Sequence, residues 1–353
     1  MNNKCSNNMK ILHMIYCMGI GGAQTMLVDI MNEQCKNDEV HLIVINNYYS
    51  DDLLNEINNK VHVHKINRPQ GSRNLYYILK LNLLLLKINP DIIHSHDASI
   101  IKLLLINAPK IITIHDTGLD TTSLRKYNSV VSISDAVYQD LKQRANIDST
   151  IIENGIVVKD ISFRKFALET PRNRPFRIVQ VSRLSLPKKG QDIIIRAVSL
   201  LIKKQYDIEL TFIGDGESRK ELEKLTEDEN ISSNVRFLGM QNRDYIYSEL
   251  CKYDLFVQPS RNEGFGLTVA EAVASGIPVL VSDIEGPMEI IEKGKYGFYF
   301  KNGNVQSCAN TIEFILNNVT TINSNNNRQH IFELYDIKNT VEQYKAVYKK
   351  LLI

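Results

Sequence analysis

Two glutamates eight positions apart, Glu263 and Glu271, stand in a glycine-rich stretch that runs from Ser260 into a helix starting near Leu267. A carboxylate in the loop Glu263-Gly264-Phe265-Gly266 can accept hydrogen bonds from sugar hydroxyls. One about a turn into the helix can take a bidentate pair from the vicinal hydroxyls of a ribose. Between them, the N–H groups of Leu267, Thr268 and Val269 at the helix N-terminus form a site for an anion such as phosphate. Glu271 sits among Val269, Ala270, Ala272 and Val273, where a carboxylate is costly unless it has a partner. A second stretch, Arg183-Leu184-Ser185-Leu186-Pro187-Lys188-Lys189-Gly190, leaves a strand and enters a helix. Its cations could neutralise a diphosphate whose charge grows as it departs. They could equally be a solvated basic loop.

Two further stretches are weaker. Gly19-Ile20-Gly21-Gly22-Ala23-Gln24 follows the first apolar run, and its glycines would let a phosphate or sugar approach a helix N-terminus. Gln24 stands where a dinucleotide fingerprint wants its third glycine, and Asn46 and Asn47 where it wants an acid, which disfavours NAD. A tight strand-to-helix turn remains the alternative. Histidines end two strands, as His94-Ser95-His96-Asp97 and as His115-Asp116. Alternate residues of a strand share a face, so H-x-H could hold a metal. No matching ligands follow Asp116, so His94 and His96 read as satisfied strand-end residues and His115 as a neutral hydrogen-bonding group.

The elements that must position these groups alternate. Short apolar runs (Met9–Tyr16, Val40–Ile45, Val61–Ile66, Asp91–His94, Lys110–Ile114) are separated by helix-period segments, which predicts βαβ units and a parallel sheet covered on both faces. The rhythm breaks over Lys159–Pro175, with two prolines and no periodicity, and restarts at Arg177. The expected architecture is two doubly wound α/β domains: 1–160, a linker 161–175, a second domain 176–336, and a terminal helix over 337–353. Ligands of such sheets bind beyond the carboxyl ends of the strands, where all four stretches fall. The chain has 353 residues, 43% hydrophobic and 23% charged, with Lys and Arg at 42 against Asp and Glu at 40. The resulting net charge of +2 lacks the basic excess of a nucleic-acid binder. Five cysteines, among them Cys5, with no C-x-x-C fit reduced thiols in a cytoplasmic protein. Met1–Asn8 reads as a polar lead-in, and Asn323–Asn327 as a solvated loop.

Taken together, the motifs resemble the retaining family 4 glycosyltransferases (glycosyl transferases group 1), over nearly the whole chain. Pro259–Ser282 fits PS-x-x-EGFGL-x-x-x-EA-x-A-x-G-x-PV-x-x-S, which contains the family's E-x7-E. Arg183, Lys189 and Gly190 fit its basic motif, Gly21 and Gly22 its glycine loop, and Asp91–His96 and Thr113–Asp116 its strand ends. The resemblance implies a GT-B fold, two Rossmann-like domains facing a cleft, with the terminal helix crossing back to the first. It also implies roles. Arg183 and Lys189 would hold the donor diphosphate, Glu271 the ribose, and Glu263 with the Gly264–Leu267 backbone the donor sugar. His115 would lie near the sugar's primary hydroxyl. Gly22, Gly214 and the loop around Leu238 would line the donor, with Lys188 a second candidate beside Lys189.

The implied reaction moves a hexose or N-acetylhexosamine from a nucleotide-diphosphate sugar, with UDP expected, to a saccharide or lipid-linked acceptor in surface polysaccharide assembly. The absence of D-x-D and the basic residues imply no metal and no cofactor. A nucleotide-sugar epimerase or hydrolase of the same fold, or a non-catalytic partner subunit, are the alternatives. Leu75–Ile88, with Arg68, Arg73, Lys80 and Lys87 around it, could meet a membrane from the cytoplasmic side. Its Leu83–Leu86 run is apolar around much of the helix and favours a core position instead.

Overall fold

The computed structural model describes residues 8–164, 174–322 and 327–353. Cys5, most of the lead-in, the middle of the expected linker and Asn323–Asn326 lie outside the described residues. The chain divides into two compact units. The first holds the residues through Ile156 together with Ile337–Ile353, and the second is Val157–Asp336. The division falls four residues before the boundary read from sequence. Within the second unit, Ser162 N donates to Tyr247 O at 2.9 Å and Arg164 Nε to Cys251 O at 3.0 Å.

In the first unit, among the described residues, strands β1 (Lys10–Ile15), β2 (Glu39–Asn46), β3 (His62–Arg68), β4 (Ile92–Ser95), β5 (Lys110–Ile114), β6 (Ser129–Ser132) and β7 (Thr150–Ile151) form one sheet. All pairings are parallel, in the order β3-β2-β1-β4-β5-β6-β7. In the second unit β8 (Phe176–Val181), β9 (Ile208–Ile213), β10 (Val235–Phe237), β11 (Leu255–Gln258), β12 (Val279–Ser282) and β13 (Phe298–Phe300) follow the order β10-β9-β8-β11-β12-β13, again parallel. Strands such as β1 and β11 are mostly apolar and buried almost from end to end, because helices cover both faces. Helix Gln191–Lys203 shows the complementary pattern, burying Ile193, Ile194, Ala197, Val198 and Leu201 along one face against the second sheet. Each sheet reverses its strand order once, between β1 and β4 and between β8 and β11. The loops leaving those strands are therefore where a ligand has room.

Most strand and helix positions agree with the sequence reading to within two residues. Among the α-helices and strands, five were not foreseen: the helices Asp51–Asn55, Leu186–Lys189, Arg243–Glu249 and Val305–Asn317, and the edge strand β13. Four of these are only three to seven residues long, too short to show a readable periodicity. Val305–Asn317 is instead announced by its cap, Asn304 Oδ1 accepting from Ser307 N at 2.8 Å.

Leu75–Ile88 corrects one expectation. The helix does pack on the sheet through Leu81, Asn82, Leu85 and Ile88. However, Leu75, Tyr76, Leu79, Leu83 and Leu86 are between 58% and 74% exposed, so the core position holds for one face only. Among the described residues, no helix is long and apolar enough to cross a membrane.

Candidate functional site

The loops after β8 and β11, neighbours at the reversal of the second sheet, are pinned to one another. Gly190 has φ +65°, and a Cβ there would stand 2.0 Å from Pro259 O, so only glycine allows this approach. Arg261 N donates to Lys188 O at 2.8 Å, and the Arg261 guanidinium forks onto Asp192 at 2.8 and 2.6 Å. Held this way, Lys189 Nζ meets Glu263 Oε2 at 2.5 Å, with side chains only 19% and 16% exposed. The same oxygen accepts from Gln258 Nε2 at 3.1 Å and Ser260 Oγ at 3.3 Å. Of the two lysines, Lys189 faces Glu263. Arg183 pairs with Glu217 at 3.0 Å and is largely exposed.

Gly266, at φ +105°, turns the chain into helix Leu267–Ala274, whose N-terminus has no side-chain cap. The Leu267 and Thr268 N–H groups lie at the positive end of that helix. Gly286 supports the turn from behind: a Cβ there would be 2.8 Å from both Glu263 O and Phe265 N. Glu271, half-buried on this helix, accepts from Tyr247 Oη at 3.4 Å. Tyr247 escaped the sequence reading because nothing in Arg243–Glu249 marks it. Gly264 is buried with the loop. Phe265 buries its ring edge-on to Tyr335, leaving only its backbone to a ligand. Gly214, at φ +132°, is demanded by packing, since a Cβ would lie 2.1 Å from Ser182 O. Leu238 already uses both backbone groups, N to Phe212 O at 2.9 Å and O from Gln241 Nε2 at 2.9 Å.

In the first unit Gly21 caps helix Gly22–Gln34 in extended conformation, and Gly22 is its first residue. The strand-end histidines form a ladder that includes His13, a residue the sequence reading had not joined to them although it pairs with His94 in register. His115 Nε2 meets His96 Nδ1 at 3.1 Å, His96 Nε2 meets His13 Nδ1 at 3.1 Å, and His13 Nε2 meets Gln34 Oε1 at 2.8 Å. His94 uses both nitrogens as well, on Tyr348 Oη at 2.7 Å and Thr113 Oγ1 at 2.8 Å. Tyr344 reaches the same Thr113 at 2.9 Å. Both tyrosines come from the C-terminal helix Ile337–Leu351 and are fully buried.

Nitrogens of His13, His94 and His96 lie within 4.8 Å of one another, close enough to suggest a metal. Yet His96 stacks on His13 and His94 with planes 24° and 28° apart. Lone pairs in near-parallel planes do not converge on one ion, and hydrogen bonds already engage these nitrogens. Burial pushes the pKa of His13 and of His115 down to about 4, and those of His94 and His96 well below the ordinary value.

The chain matches two family models, Glycosyltransferase Family 4 over residues 20–160 and Glycosyl transferases group 1 over 162–330. It belongs to glycosyltransferase family 4. An uncharacterized family relative from Methanocaldococcus jannaschii is 27% identical, covering 86% of this chain and 87% of that protein. The poly(ribitol-phosphate) alpha-N-acetylglucosaminyltransferase of Staphylococcus aureus is 27% identical over 62% of this chain and 43% of its own length. A solved glycosyltransferase of Rickettsia africae superposes with a TM-score of 0.81 at 20% identity, covering 98% of this chain and 99% of that one. Anabaena HepE, solved with UDP and glucose, gives 0.77 at 22% identity, covering 97% of this chain and 100% of its own. The family's GT-B fold is thus the fold of this chain, with Arg183 and Lys189 in the passage after β8 and Glu263 and Glu271 in the passage from β11 into helix Leu267–Ala274.

Two predictions follow from packing and charge. Gly190→Ala places a methyl against the Pro259 carbonyl in a left-handed backbone and should cost about 2–4 kcal/mol by denaturant unfolding. For the histidines, the folded pKa lies below the unfolded one, so the unfolded chain binds more protons between pH 6.5 and about 4. Stability on their account is complete above pH 6.5 and is lost as pH falls through that window, on the order of 3 kcal/mol for a ring such as His13. Melting from pH 4.5 to 7.5 should show this slope, reduced in His13→Phe; an equal slope in the variant would remove His13 from the account.

Proposed function

We propose that this family 4 enzyme transfers a hexose or N-acetylhexosamine from a UDP sugar to a saccharide or lipid-linked acceptor, retaining anomeric configuration and needing no divalent metal. The observation that carries this reading is the Lys189–Glu263 pair beside the uncapped helix N-terminus, with Glu271 about one turn in. In the ligand-free site Lys189 neutralises Glu263. A donor diphosphate offers Lys189 and Arg183 a more highly charged partner, so its arrival exchanges partners. Lys189 turns to the diphosphate, and Glu263 is released to accept hydrogen bonds from the sugar. Glu271 takes the ribose hydroxyls, and the Leu267 and Thr268 N–H groups a phosphate oxygen.

In the transfer, the acceptor hydroxyl oxygen bonds to the anomeric carbon on the face from which the diphosphate leaves. The anomeric C–O bond breaks with its electron pair going to the diphosphate, and the acceptor's proton passes to a diphosphate oxygen. Arg183, Lys189 and the helix N-terminus stabilise the charge that builds there, the work a metal would otherwise do. UDP is supported by HepE, whose structure holds it, and N-acetylhexosamine by the name of the Staphylococcus aureus relative. Assembly of a surface polysaccharide is the setting we infer for the reaction.

A thermal-shift screen of UDP, GDP, ADP and dTDP, with and without EDTA, tests the donor site. UDP at 100 times its dissociation constant should stabilise the wild type by about 2.7 kcal/mol, with EDTA making no difference. Glu271→Ala should lose most of that gain. A response to none of the four would sink the donor reading and favour a non-catalytic subunit. Release of free sugar as the main reaction would instead favour a hydrolase.

The exposed apolar stripe of Leu75–Ile88, with Arg73 and Lys87 exposed beside it, supports peripheral contact with an anionic lipid surface, where a lipid-linked acceptor would reside. Wild type should sediment with vesicles containing a third anionic lipid. Leu79→Asp with Leu83→Asp should stay in the supernatant with its melting midpoint kept. Equal sedimentation of both would remove the helix from membrane binding.

A further inference from the structure

The buried histidine ladder ends in a loose end. His115 Nδ1 is shielded from solvent yet has no hydrogen-bond partner, while every other nitrogen along His13, His96 and His115 is engaged. Neutral imidazole carries one N–H and one lone pair, so each link in such a chain sets the polarity of the next. Gln34 starts the sequence. Its Nε2 donates to Tyr348 Oη at 3.3 Å, which leaves Oε1, an acceptor only, facing His13 Nε2. His13 must then carry its hydrogen on Nε2 and accept at Nδ1. His96 must donate from Nε2 and accept at Nδ1, and His115 must donate from Nε2. The opposite polarity would leave a buried N–H without an acceptor at His115, a rarer and costlier defect than a bare lone pair.

We propose that Gln34, His13 and His96 are positioning residues that hold His115 as the Nε2–H tautomer, so that its Nδ1 lone pair accepts a hydrogen bond from a hydroxyl of a sugar substrate. The identity of that hydroxyl rests on the sugar-transfer reading above; the tautomer does not. His115 then selects for a hydroxyl, a donor, and against a substituent that can only accept. The selection is set on Gln34 of the first helix, three hydrogen bonds away from His115.

Two-bond proton–nitrogen correlation on imidazole-labelled protein at pH 7 reads which ring nitrogen carries hydrogen, with His115→Gln identifying the His115 signals. Wild type should show His115 protonated on Nε2 with Nδ1 bare. Gln34→Met removes the acceptor; either polarity then leaves one buried N–H unsatisfied, so the preference is lost and the Nδ1–H form of His115 should become populated. Gln34→Glu restores an acceptor and should keep Nε2–H. Nδ1–H in the wild type overturns the proposal whether or not either variant folds, as does an unchanged tautomer in a folded Gln34→Met.

The hydroxyl is tested by adding UDP, UDP-glucose, UDP-N-acetylglucosamine or methyl α-glucoside. A nucleotide sugar that moves the Nδ1 resonance where UDP does not assigns the hydroxyl to the donor; a shift with the glucoside alone assigns it to the acceptor. No Nδ1 shift from any of these sugar ligands that raises the melting midpoint overturns the hydroxyl assignment. If none of them binds, the sugar-transfer reading fails on these substrates and the hydroxyl assignment fails with it, while the tautomer result stands alone.

Discussion

Polar side chains buried where parallel strands end have to satisfy one another, because no water is left to do it. In the first unit this constraint falls on the buried His13 of β1, His94 and His96 around the end of β4 and Thr113 of β5, and on the half-buried His115 that follows β5. Charged rings would be prohibitively expensive there, so the histidines are neutral and become two-ended connectors. Gln34 and the hydroxyls of Tyr344 and Tyr348 close the network from the two helices packed alongside. The docking of the C-terminal helix is thus more than apolar contact: without its tyrosines, His94 Nδ1 would lose its partner.

The second unit meets the same problem with full charges. Glu263 is buried enough to need Lys189, and the pair is affordable because Gln258 and Ser260 also bond to the carboxylate. Gly190 and the Arg261–Asp192 fork keep the loops close enough for the pair to form. A neutral ladder in one unit and a compensated ion pair in the other suit different tasks. The ladder holds an orientation, whereas the pair can be exchanged when a stronger anion arrives.

The second-unit site was legible because its residues are close in sequence: the Glu263–Glu271 spacing and the Arg183–Gly190 run both lie within single loop-to-helix passages. Phe265, Leu238 and Gly214 have side chains or backbone groups committed to packing and hydrogen bonds, which spacing alone does not reveal. His13 could not be joined to His94 and His96 from sequence, because the register joining β1 to β4 spans some eighty residues. Tyr247 and Gln34 depend on helix–helix and helix–strand proximity and left no local mark. The run Leu83–Leu86 misled for the opposite reason, since leucines on both faces of a helix do not tell which face the sheet covers.

The discontinuity of the first unit has a consequence for its birth. The strands carrying the histidines leave the ribosome early, but Tyr344 and Tyr348 follow only after the whole of the second unit has been translated. The second unit, continuous in sequence, can fold as soon as it emerges. Until the tyrosines arrive, nascent His94 must keep a water or a proton on Nδ1, and its end of the sheet stays wet and titratable. The last helix is the stopper that dries it.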